Sequence, residues 1–399
     1  MSSKDWGDPA LRGQFLLDPD MAFLNHGSFG ACPIPVLARQ GQLRTELERE
    51  PVAFLHRRLP DCLAEARAAL AAQLGAAPRQ LVYQPNVTVA LNVAIRSLPL
   101  AAGDEVLVGD HEYGALLRCW EAEAGRRGLC LRRVALPLPV RDAARVTAAY
   151  ERAASPATRA IFLSHISSPT ALRLPIDALL DLARRRGWIS VVDGAHAPGQ
   201  IPLDLGTLGA DIYAGNCHKW LLAPKGCGFL WAGERARDWI RPLVVSWGHT
   251  NRPPAQRRDP FLDELEWSGT CDPTAWLALP AALEFRRAWH WEERAAACRE
   301  HLQAWGDRLE ERFGARRLGP RDEGLQMLAL GLPPAACPAH RAAELHERLF
   351  AGSGVEVPLF EFQGEAVLRL SLQPYNREAD LERLERALGG LLEQAGPSA

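Results

Sequence analysis

The chain has no long apolar run, no closely spaced pair of cysteines and no excess of charge of either sign. Its formal net charge of -2 gives no reason to expect a nucleic-acid or membrane partner. Residues 1–6 lack the apolar core of a signal peptide, and no later run is long enough to span a bilayer. The nine cysteines include no CxxC pair, which disfavours a zinc site or a disulfide framework. These absences predict a cytoplasmic protein with reduced, buried thiols and no bound metal.

Length and composition indicate an ordinary globular chain with more than one core. A chain of 399 residues is too long for one compact core and predicts two lobes, one of them large. The hydrophobic fraction of 47% and the charged fraction of 24% are usual for a folded protein. Composition therefore indicates no particular function, and the functional prediction rests on sequence motifs.

Between about residues 60 and 235, predicted helices alternate with short apolar runs. The runs are continuous rather than alternating, which predicts strands covered on both faces by helices. They lie at 105–108, 160–164, 189–192 and 228–231. The segment 61–75 predicts a helix with Asp61 as its N-cap and Gly75 as its stop, and 175–186 predicts a helix that completes a βαβ unit. This region predicts an α/β domain with a largely parallel sheet, whose ligands gather at the carboxyl ends of the strands.

The pattern changes after Trp267, where predicted helices become rich in Ala, Leu, Arg and Glu. The predicted elements are two helices, a strand and a closing helix, at 272–289, 291–313, 365–372 and 377–393. We therefore expect an N-terminal arm (1–30), a large α/β domain (31–265) and a smaller C-terminal α+β domain (266–399).

An aspartate and a lysine follow two consecutive predicted strands. Asp193 ends the apolar run 188–192, and Lys219 lies farther along, in the segment 216–220. Each alone has an ordinary interpretation, because an aspartate often caps a turn and a lysine is often a solvated loop charge. Together they are what a pyridoxal phosphate site requires. The aspartate keeps the pyridine nitrogen protonated, and the lysine holds the aldehyde as a Schiff base.

A helix predicted to begin within 85–94 offers a site for the phosphate. It follows a short apolar run, and its free N–H groups, its dipole and the Thr88 hydroxyl suit an anion. Asn86 and Val87 stand at the same helix start. Many helices begin with Asn or Thr for capping alone, so this signal is weak by itself and gains weight from Lys219.

Three ring-bearing residues follow strand ends of the same predicted sheet. A flat ring at Tyr113 would stack on a pyridine ring and exclude water from one face, although an ordinary packed tyrosine fits as well. His165 ends the next strand and is either a structural histidine or a catalytic one. His196 would reach the phenolic oxygen of the cofactor if Asp193 reaches the ring nitrogen.

Further polar residues complete the expected site. Asn216 and His218 flank the lysine and would donate to the phosphate. In the segment 267–270, at the domain boundary, a glycine allows close backbone approach and Thr270 can donate. Arg369 lies in the predicted C-terminal strand. A guanidinium aimed into the cleft would bind a substrate carboxylate in a bidentate manner, whereas a strand arginine is otherwise a surface residue.

In this order the motifs resemble those of fold-type I pyridoxal phosphate enzymes of the class V aminotransferase superfamily, within its isopenicillin N epimerase-like branch. The matching stretches span nearly the whole chain: 23–33, 86–88, 112–115, 193–196, 218–220 with 224–226, 267–270, and 369–371 with 375–376. The resemblance implies a large domain with a mostly parallel sheet flanked by helices, plus a smaller C-terminal α+β domain. It also implies an amino acid as the small-molecule substrate and a homodimer with composite active sites.

Carried over residue by residue, the resemblance implies pyridoxal 5′-phosphate contacts at ten positions: Asn86, Val87, Thr88, Tyr113, Asp193, His196, Asn216, His218, Lys219 and Thr270. Thr270 would reach the phosphate bound by the partner subunit. Tyr113 stands where cysteine desulfurases of the superfamily carry a stacking histidine. Substrate contacts would come from Asn25 and His26 in the arm and from Arg369, which would hold the α-carboxylate.

One departure separates the chain from the cysteine desulfurases. Those enzymes need a nucleophilic cysteine on a loop shortly before the carboxylate arginine, and the stretch 352–359 contains none. The nearest cysteine upstream, Cys337, lies in a different segment, so a persulfide-forming desulfurase is disfavoured. The glycine that often follows the Ser-His strand in relatives is Ala171 here, which bears on the shape of the substrate pocket.

Removal of the α-proton by Lys219 can lead to several reactions. Reprotonation from the opposite face epimerises the amino acid and needs a second acid, for which Tyr113 and His165 are the candidates. Loss of a β-substituent makes a C–S lyase, and reprotonation at the cofactor makes an aminotransferase. We favour an amino-acid epimerase or racemase by resemblance, with the other two as alternatives. A non-catalytic cofactor-binding protein is disfavoured, because it would be expected to have lost Lys219, Asp193 or Arg369.

Overall fold

The computed structural model describes residues 6–249, 259–321 and 323–395. Within these residues, thirteen strands form three sheets. In chain order the strands are β1 (Ala22–Phe23), β2 (Leu81–Gln84), β3 (Glu105–Gly109), β4 (Cys130–Val134), β5 (Thr158–Ser164), β6 (Ile189–Gly194), β7 (Ile212–Asn216), β8 (Gly228–Ala232), β9 (Arg316–Arg317), β10 (Met327–Leu332), β11 (Val355–Glu356), β12 (Leu359–Phe362) and β13 (Glu365–Ser371).

The helices of the described ranges surround these sheets. They are α1 (Pro9–Arg12), α2 (His26–Phe29), α3 (Ile34–Arg49), α4 (Leu59–Gln73), α5 (Val87–Ser97), α6 (Gly114–Arg127), α7 (Ala143–Ala153), α8 (Ile176–Arg186), α9 (Leu205–Leu208), α10 (Glu234–Arg237), α11 (Pro260–Glu266), α12 (Thr274–Leu277), α13 (Leu279–Ala288), α14 (Trp291–Phe313), α15 (Ala342–Ser353) and α16 (Glu378–Ala395). A π-helical segment, Ala53–Arg58, precedes α4, and short 3₁₀ turns lie at Pro78–Gln80 and Ala339–Arg341.

The largest sheet has seven strands in the order β2-β8-β7-β6-β5-β3-β4. Only β8 runs opposite to the other six. Strands β3, β7 and β8 are buried along their whole length, as the continuous apolar runs predict. The predicted α/β fold with a mostly parallel sheet is confirmed. The apolar pattern did not identify β4, an edge strand that is largely exposed and carries Arg132 and Arg133.

Helices cover both faces of this sheet, and alternate residues of each strand point into two different cores. Val106 and Val108 belong to the core formed with α5 and α6, whereas Leu107 between them belongs to the core formed with α4 and α8. Glycine in the left-handed region ends several of the covering helices. Gly128 follows α6 and Gly187 follows α8, each at φ +71°.

Two details of the predicted helices differ from the structure. The helix expected to begin at Asp61 begins earlier, at Leu59, because the π-helical segment Ala53–Arg58 runs directly into it and leaves Asp61 in its first turn. The helix expected over 272–289 is divided at Ala278 into α12 and α13.

The C-terminal part forms a four-stranded antiparallel sheet in the order β12-β13-β10-β9, packed against α14, α15 and α16. The arm joins this part, because β1 pairs in parallel with β11. Helices α12 and α13, which follow the expected boundary, pack against α3 and α4 of the large domain. The division into 1–30, 31–265 and 266–399 therefore stays a prediction.

Of the helices in the described ranges, none combines the length and apolar character that crossing a bilayer needs. The same residues contain no cluster of three or more His, Cys, Asp or Glu arranged to hold a metal. All nine cysteines are free thiols.

Candidate active site

The carboxyl ends of β6 and β7 bring Asp193, His196 and Lys219 into one buried group. Asp193 is the next-to-last residue of β6, and its carboxylate accepts a hydrogen bond of 2.8 Å from the backbone N–H of Ala195. Lys219 follows β7, and its Nζ lies 3.1 Å from His196 Nε2. Lys219 is 9% exposed and Asp193 is 3% exposed. The aspartate–lysine pair predicted from the sequence therefore lies in the interior rather than in solvated loops.

Burial shifts the pKa values of both members of this pair toward neutral pH. The pKa of Lys219 is lowered to about 7, first by burial and then by the positive charge of Arg369, against the opposing effect of Asp193. Burial raises the pKa of Asp193 to about 6, while the hydrogen bond from Ala195 and the charge of Lys219 act against this shift. A substantial fraction of the lysine is thus an uncharged amine near neutral pH.

The orientation of His196 agrees with an uncharged lysine. The indole N–H of Trp220 donates to His196 Nδ1 over 3.4 Å. Burial, followed by the charges of Lys219 and Arg369, holds the pKa of His196 well below its usual range, so the ring is neutral. Because an indole can only donate, Nδ1 accepts and Nε2 carries the single ring proton. His196 therefore presents an N–H to the Lys219 amine.

The N-terminus of α5 approaches the same strand ends. The side chain of Asn86 caps the helix by accepting the N–H of Val89, and Asn216 Oδ1 accepts the N–H of Val87, each at 3.0 Å. Asn86 and Val87 thus serve the helix start itself. Thr88 stands at the same helix end with a hydroxyl and an N–H, and α5 is long enough to contribute a dipole.

His218 is bonded in a way that limits its role toward a phosphate. Its Nδ1 lies 3.1 Å from the carbonyl oxygen of Cys227, which can only accept, so Nδ1 carries a proton. Burial, followed by the charge of Lys219, lowers the pKa of His218 to about 4, which leaves Nε2 as an acceptor. Donation to a phosphate would require protonation of Nε2, which the negative charge of the phosphate would itself favour.

Arg369 lies in β13, and its charge acts on Lys219. Its Nη1 donates to the carbonyl oxygen of Ser168 at 2.6 Å and to the Ser168 hydroxyl at 3.2 Å, and its Nη2 donates to Ser28 Oγ at 2.9 Å. Burial lowers the pKa of Arg369 to about 10, and the guanidinium remains charged at neutral pH. Its Nε is buried and has no hydrogen-bond partner among the described residues.

We use two names for these parts of the site. The cofactor end comprises Thr88, Asp193, His196, Asn216 and Lys219. The carboxylate end comprises Ser28, Ser168 and Arg369, and the charge of Arg369 acts on Lys219.

The arm residues expected to contact substrate are used elsewhere. His26 is fully buried, with Nε2 3.0 Å from the carbonyl oxygen of Lys219 and Nδ1 2.8 Å from the hydroxyl of Tyr375. Both ring nitrogens are therefore bonded to protein atoms, and the substrate-binding role expected for His26 stays a prediction. Asn25 donates to Glu356 at 2.7 Å and accepts from the Ser28 hydroxyl at 2.5 Å, so it supports Ser28 rather than presenting a free amide.

Tyr113 and His165, the two candidate acids, lie in different surroundings. Tyr113 precedes α6, is 44% exposed and is near enough to Arg369 to influence its pKa. His165 lies on the face of the sheet opposite Asp193, where its Nδ1 is 3.0 Å from the hydroxyl of Tyr213. The Tyr213 ring crosses Gly194 to reach it, and a Cβ on Gly194 would lie 2.1 Å from that ring. This position does not support His165 as an acid, and we keep Tyr113 alone.

Sequence reasoning assigned no role to three residues that the structure places at the site. Ser28 and Ser168 hold Arg369, and only the three-dimensional structure brings them together. Glu112 is buried, accepts the backbone N–H of Ser164 at 3.1 Å and accepts the Ser164 hydroxyl. Burial raises the pKa of Glu112 to about 8, and the charge of Asp193 adds to this shift. The position of Glu112 directly before Tyr113 was the one available signal.

The side chains present fit pyridoxal 5′-phosphate. Lys219 supplies an amine that is partly uncharged at neutral pH, the form that reacts with an aldehyde. A protonated ring nitrogen beside Asp193 would offset the cost of burying that carboxylate. Thr88 and the N-terminus of α5 suit the phosphate. The unpartnered Nε of Arg369 leaves a donor for an incoming carboxylate.

Comparison with known proteins agrees with this chemistry. Residues 43–384 match the Aminotransferase class-V family. The chain is 39% identical over 401 residues to isopenicillin N epimerase of Streptomyces clavuligerus, an alignment that covers 98% of this chain and 99% of that one. It is 40% identical over 398 residues to isopenicillin N epimerase of Amycolatopsis lactamdurans, covering 94% and 96%. A probable chloroplastic L-cysteine desulfhydrase of Arabidopsis thaliana is 28% identical, covering 94% and 84%.

Solved structures show the same fold at lower identity. A variant of C-DES with glycine covalently linked to its pyridoxal phosphate cofactor superposes with a TM-score of 0.81, at 21% identity and covering 96% of this chain and 99% of that one. The cysteine desulfurase CsdA of Escherichia coli superposes with a TM-score of 0.79, at 22% identity and covering 97% and 99%. The resemblance read from the sequence is confirmed: the chain belongs to the class-V aminotransferase family of pyridoxal 5′-phosphate-dependent enzymes.

Proposed function

We propose that this enzyme is an amino-acid epimerase or racemase of the isopenicillin N epimerase type. In this proposal Lys219 holds the cofactor and moves the α-proton, and Arg369 binds the α-carboxylate. The observation that carries it is the buried Lys219 amine, whose pKa is lowered to about 7 between the charges of Arg369 and Asp193. A base with a pKa near the working pH is well matched to removing a proton.

The choice of epimerisation among the possible reactions rests on the relatives. The two isopenicillin N epimerases are 39% and 40% identical over nearly the full length of the chain. The L-cysteine desulfhydrase relative is only 28% identical, which makes a C–S lyase the second candidate. A persulfide-forming desulfurase stays disfavoured, since the described residues 352–359 contain no cysteine.

Each step of the proposed reaction is assigned to a side chain of the site. Arg369 binds the carboxylate through Nε and the Nη groups and so orients the α-carbon. When bound, the cofactor supplies an electron sink that stabilises negative charge at that carbon. Lys219 accepts the α-proton from one face. Tyr113, assigned as the acid of the other face, delivers a proton from its hydroxyl and recovers one from water, to which its 44% exposure gives access.

Asp193 and His196 keep the cofactor end in the right protonation state. The Asp193 carboxylate would pair with the ring nitrogen of the bound cofactor, and a protonated nitrogen there would favour the ionised form of the carboxylate. His196 holds its Nε2 proton toward the Lys219 amine and would donate it to the phenolic oxygen. Thr88, Asn216 and a protonated His218 would hold the phosphate.

We also propose a homodimer with composite sites. Thr270 is exposed, and the neighbouring Gly269 has a φ of +126°. An exposed Thr270 is free to serve the phosphate of a partner subunit. Large apolar side chains are exposed elsewhere, with Phe29 72%, Val245 70% and Trp247 89% exposed, as is typical of a surface that another chain covers. The cytoplasmic location expected from the sequence stays a prediction.

The test is to incubate the purified, cofactor-loaded protein in deuterated water with a panel of L- and D-amino acids and cysteine conjugates. Mass spectrometry and chiral chromatography would follow deuterium at the α-carbon, configuration, and any released pyruvate or thiol. We expect an α-deuterated product of inverted configuration without fragmentation. Keto acid with a departing thiol would contradict the epimerase and support the C–S lyase.

The variant Tyr113→Phe separates the two proton transfers. We expect it to keep deuterium incorporation with retained configuration and to lose inversion by about 100-fold, the usual contribution of a general acid. Inversion at the wild-type rate would remove Tyr113 from its role.

A further inference from the structure

We propose that the turn Asn25–Ser28 in the N-terminal arm is a positioning element for both ends of the active site. In it, His26 fixes the backbone of Lys219 and Ser28 fixes the guanidinium of Arg369. This inference rests on the proposed function for the roles of Lys219 and Arg369. It replaces the substrate contacts expected for Asn25 and His26 with a different task.

The His26 ring is bonded in a way that only one tautomer satisfies. The carbonyl oxygen of Lys219 can only accept, so Nε2 carries the ring proton and donates it over 3.0 Å. Nδ1 then accepts the hydroxyl proton of Tyr375 over 2.8 Å. Burial lowers the pKa of His26 to about 3, so the ring stays neutral with this single proton. The lysine backbone is thereby tied to the C-terminal part of the molecule.

A second donor holds the next carbonyl of the chain. Nη1 of the buried Arg286 donates to the carbonyl oxygen of Trp220, and Nη2 donates to that of Gly199 at 3.1 Å. The backbone carbonyls of Lys219 and Trp220 are therefore both fixed from outside β7. Fixing them fixes the Cα of Lys219 and the direction in which its side chain leaves.

The arm reaches the lysine because glycine permits it. Gly30 has a φ of +72°, and a Cβ there would lie 2.2 Å from the carbonyl oxygen of His218. Lys225 donates to the carbonyl oxygen of Gly30 at 2.7 Å, which anchors the arm through a bond that involves neither Lys219 nor Arg369. This second anchor provides a matched control for His26.

Ser28 acts on the carboxylate end of the same turn. Its hydroxyl accepts from Arg369 Nη2 at 2.9 Å and donates to Asn25 Oδ1 at 2.5 Å. Asn25 is in turn held by Glu356, which it reaches at 2.7 Å. This chain of bonds holds the Nη2 group of the guanidinium, while Nε has no hydrogen-bond partner among the described residues.

Two separable effects follow from one turn. Loss of the His26 contact should affect cofactor attachment and proton transfer, because both depend on the lysine. Loss of the Ser28 contact should affect carboxylate binding, because it depends on the arginine. A purely structural role for the arm would instead lower stability without distinguishing kcat from KM.

The experiment compares four variants of the cofactor-loaded protein, with glycine as the probe because it offers an amine and a carboxylate without a side chain. The variants are His26→Phe, His26→Gln, Ser28→Ala and Lys225→Met. For each, NMR in deuterated water measures kcat and KM of α-proton exchange on glycine. Absorbance titration measures the dissociation constant of pyridoxal 5′-phosphate from the apo-protein, and thermal unfolding reports stability.

We expect His26→Phe to lower kcat and weaken cofactor binding by about 10-fold or more, with a smaller change in KM. His26→Gln should restore much of both, since an amide can donate to Lys219 and accept from Tyr375. Ser28→Ala should raise KM by about 5-fold at nearly constant kcat. Lys225→Met should change stability and leave kcat unchanged.

Three results would overturn the proposal: an unchanged kcat and cofactor affinity in His26→Phe, no recovery in His26→Gln, or an equal kcat loss in Lys225→Met. If the wild-type protein binds the cofactor but exchanges no α-proton, the proposed function fails. The effect of His26 on cofactor affinity and absorbance would still decide the inference about the lysine.

Discussion

The cofactor end and the carboxylate end of the site differ in how the chain supplies them. The cofactor end comes from the carboxyl ends of β6 and β7 and from the N-terminus of α5, which meet at one edge of the large sheet. The carboxylate end joins a strand of the C-terminal sheet, a loop after β5 and the arm. Arg369 is separated from Ser168 by 201 positions and from Ser28 by 341. The cofactor end is thus formed by one sheet and a helix that covers it, whereas the carboxylate end forms only when three distant segments of the chain come together.

The two ends agree in their electrostatics. Burial raises the pKa of Asp193 to about 6 and lowers that of Arg369 to about 10. The charged form of each group is therefore less stable in the protein than in water. A charged ligand of opposite sign would relieve both, a protonated ring nitrogen at one end and a carboxylate at the other. The charges of both residues act on the lysine, and the effect of Arg369 on its pKa exceeds that of Asp193. Binding of a carboxylate to Arg369 should therefore change the pKa of Lys219. This coupling between the two ends can be tested.

The largest expected effect comes from removing Lys219. Lys219→Ala deletes the covalent attachment and the base, so we expect loss of the bound cofactor's absorbance and a fall in α-proton exchange of at least about 10³-fold. The apo-protein should unfold at an unchanged or higher temperature, because a buried amine is removed. Unimpaired turnover would refute the assignment of the cofactor end. A lower unfolding temperature in parallel with the loss would instead indicate a folding defect.

A smaller effect is expected at the carboxylate end. Arg369→Ala should raise KM for an amino acid by about 10- to 100-fold, the range of a hydrogen-bonded ion pair, and leave cofactor affinity nearly unchanged. Arg369→Lys should recover part of the loss, since it keeps the charge and loses the bidentate geometry. An unchanged KM in Arg369→Ala would remove Arg369 from its role.

The same pair of variants tests the coupling between the ends. Arg369 lowers the pKa of Lys219, so its removal raises that pKa. Because the neutral amine is the base, the rise of kcat with pH should move to higher pH in Arg369→Ala and stay near the wild-type position in Arg369→Lys. A kcat–pH profile at saturating glycine measures this shift.

The sequence predicted the cofactor end better than the carboxylate end, for a physical reason. Asp193 directly follows an apolar run and Lys219 comes shortly after the next short strand, and parallel strands must bring their carboxyl ends to one edge. The hydrogen bonds of His26 could not be predicted, because one of them joins it to Tyr375, 349 positions away, which no local pattern contains. The surroundings of His165 could not be predicted either, because the face that a side chain takes depends on strand register. Ser164 pairs with Asp193, so the next residue points to the other core.

The predicted fold shows the same limit. Buried strands such as β3 and β8 can be recognised in the sequence as apolar runs. The edge strand β4 cannot, because its Arg132 and Arg133 face water. The start of α4 was misplaced because the π-helical segment before it has no distinctive residue pattern. The local sequence therefore predicts buried strands, whereas edge strands and the exact starts of helices depend on contacts with distant parts of the chain.

The last prediction concerns stability rather than activity, at the acid that burial keeps protonated beside the cofactor end. The pKa of Glu112 is raised from 4.5 to about 8, first by burial and then, against the bonds from Ser164, by Asp193. A carboxyl whose pKa is raised in the folded state contributes stability that is complete below pH 4.5 and lost as pH rises toward 8. In Glu112→Gln this loss should vanish, because the amide can accept from the Ser164 N–H and donate to its hydroxyl without titrating. Urea unfolding of both apo-proteins between pH 4.5 and 8 should show a stability difference that changes by up to about 1.4 kcal/mol per pH unit in favour of the variant. If the free energies of unfolding of the two proteins changed in parallel with pH, Glu112 would be ionised in the folded protein. Burial would then shift the pKa less at the cofactor end than at Arg369.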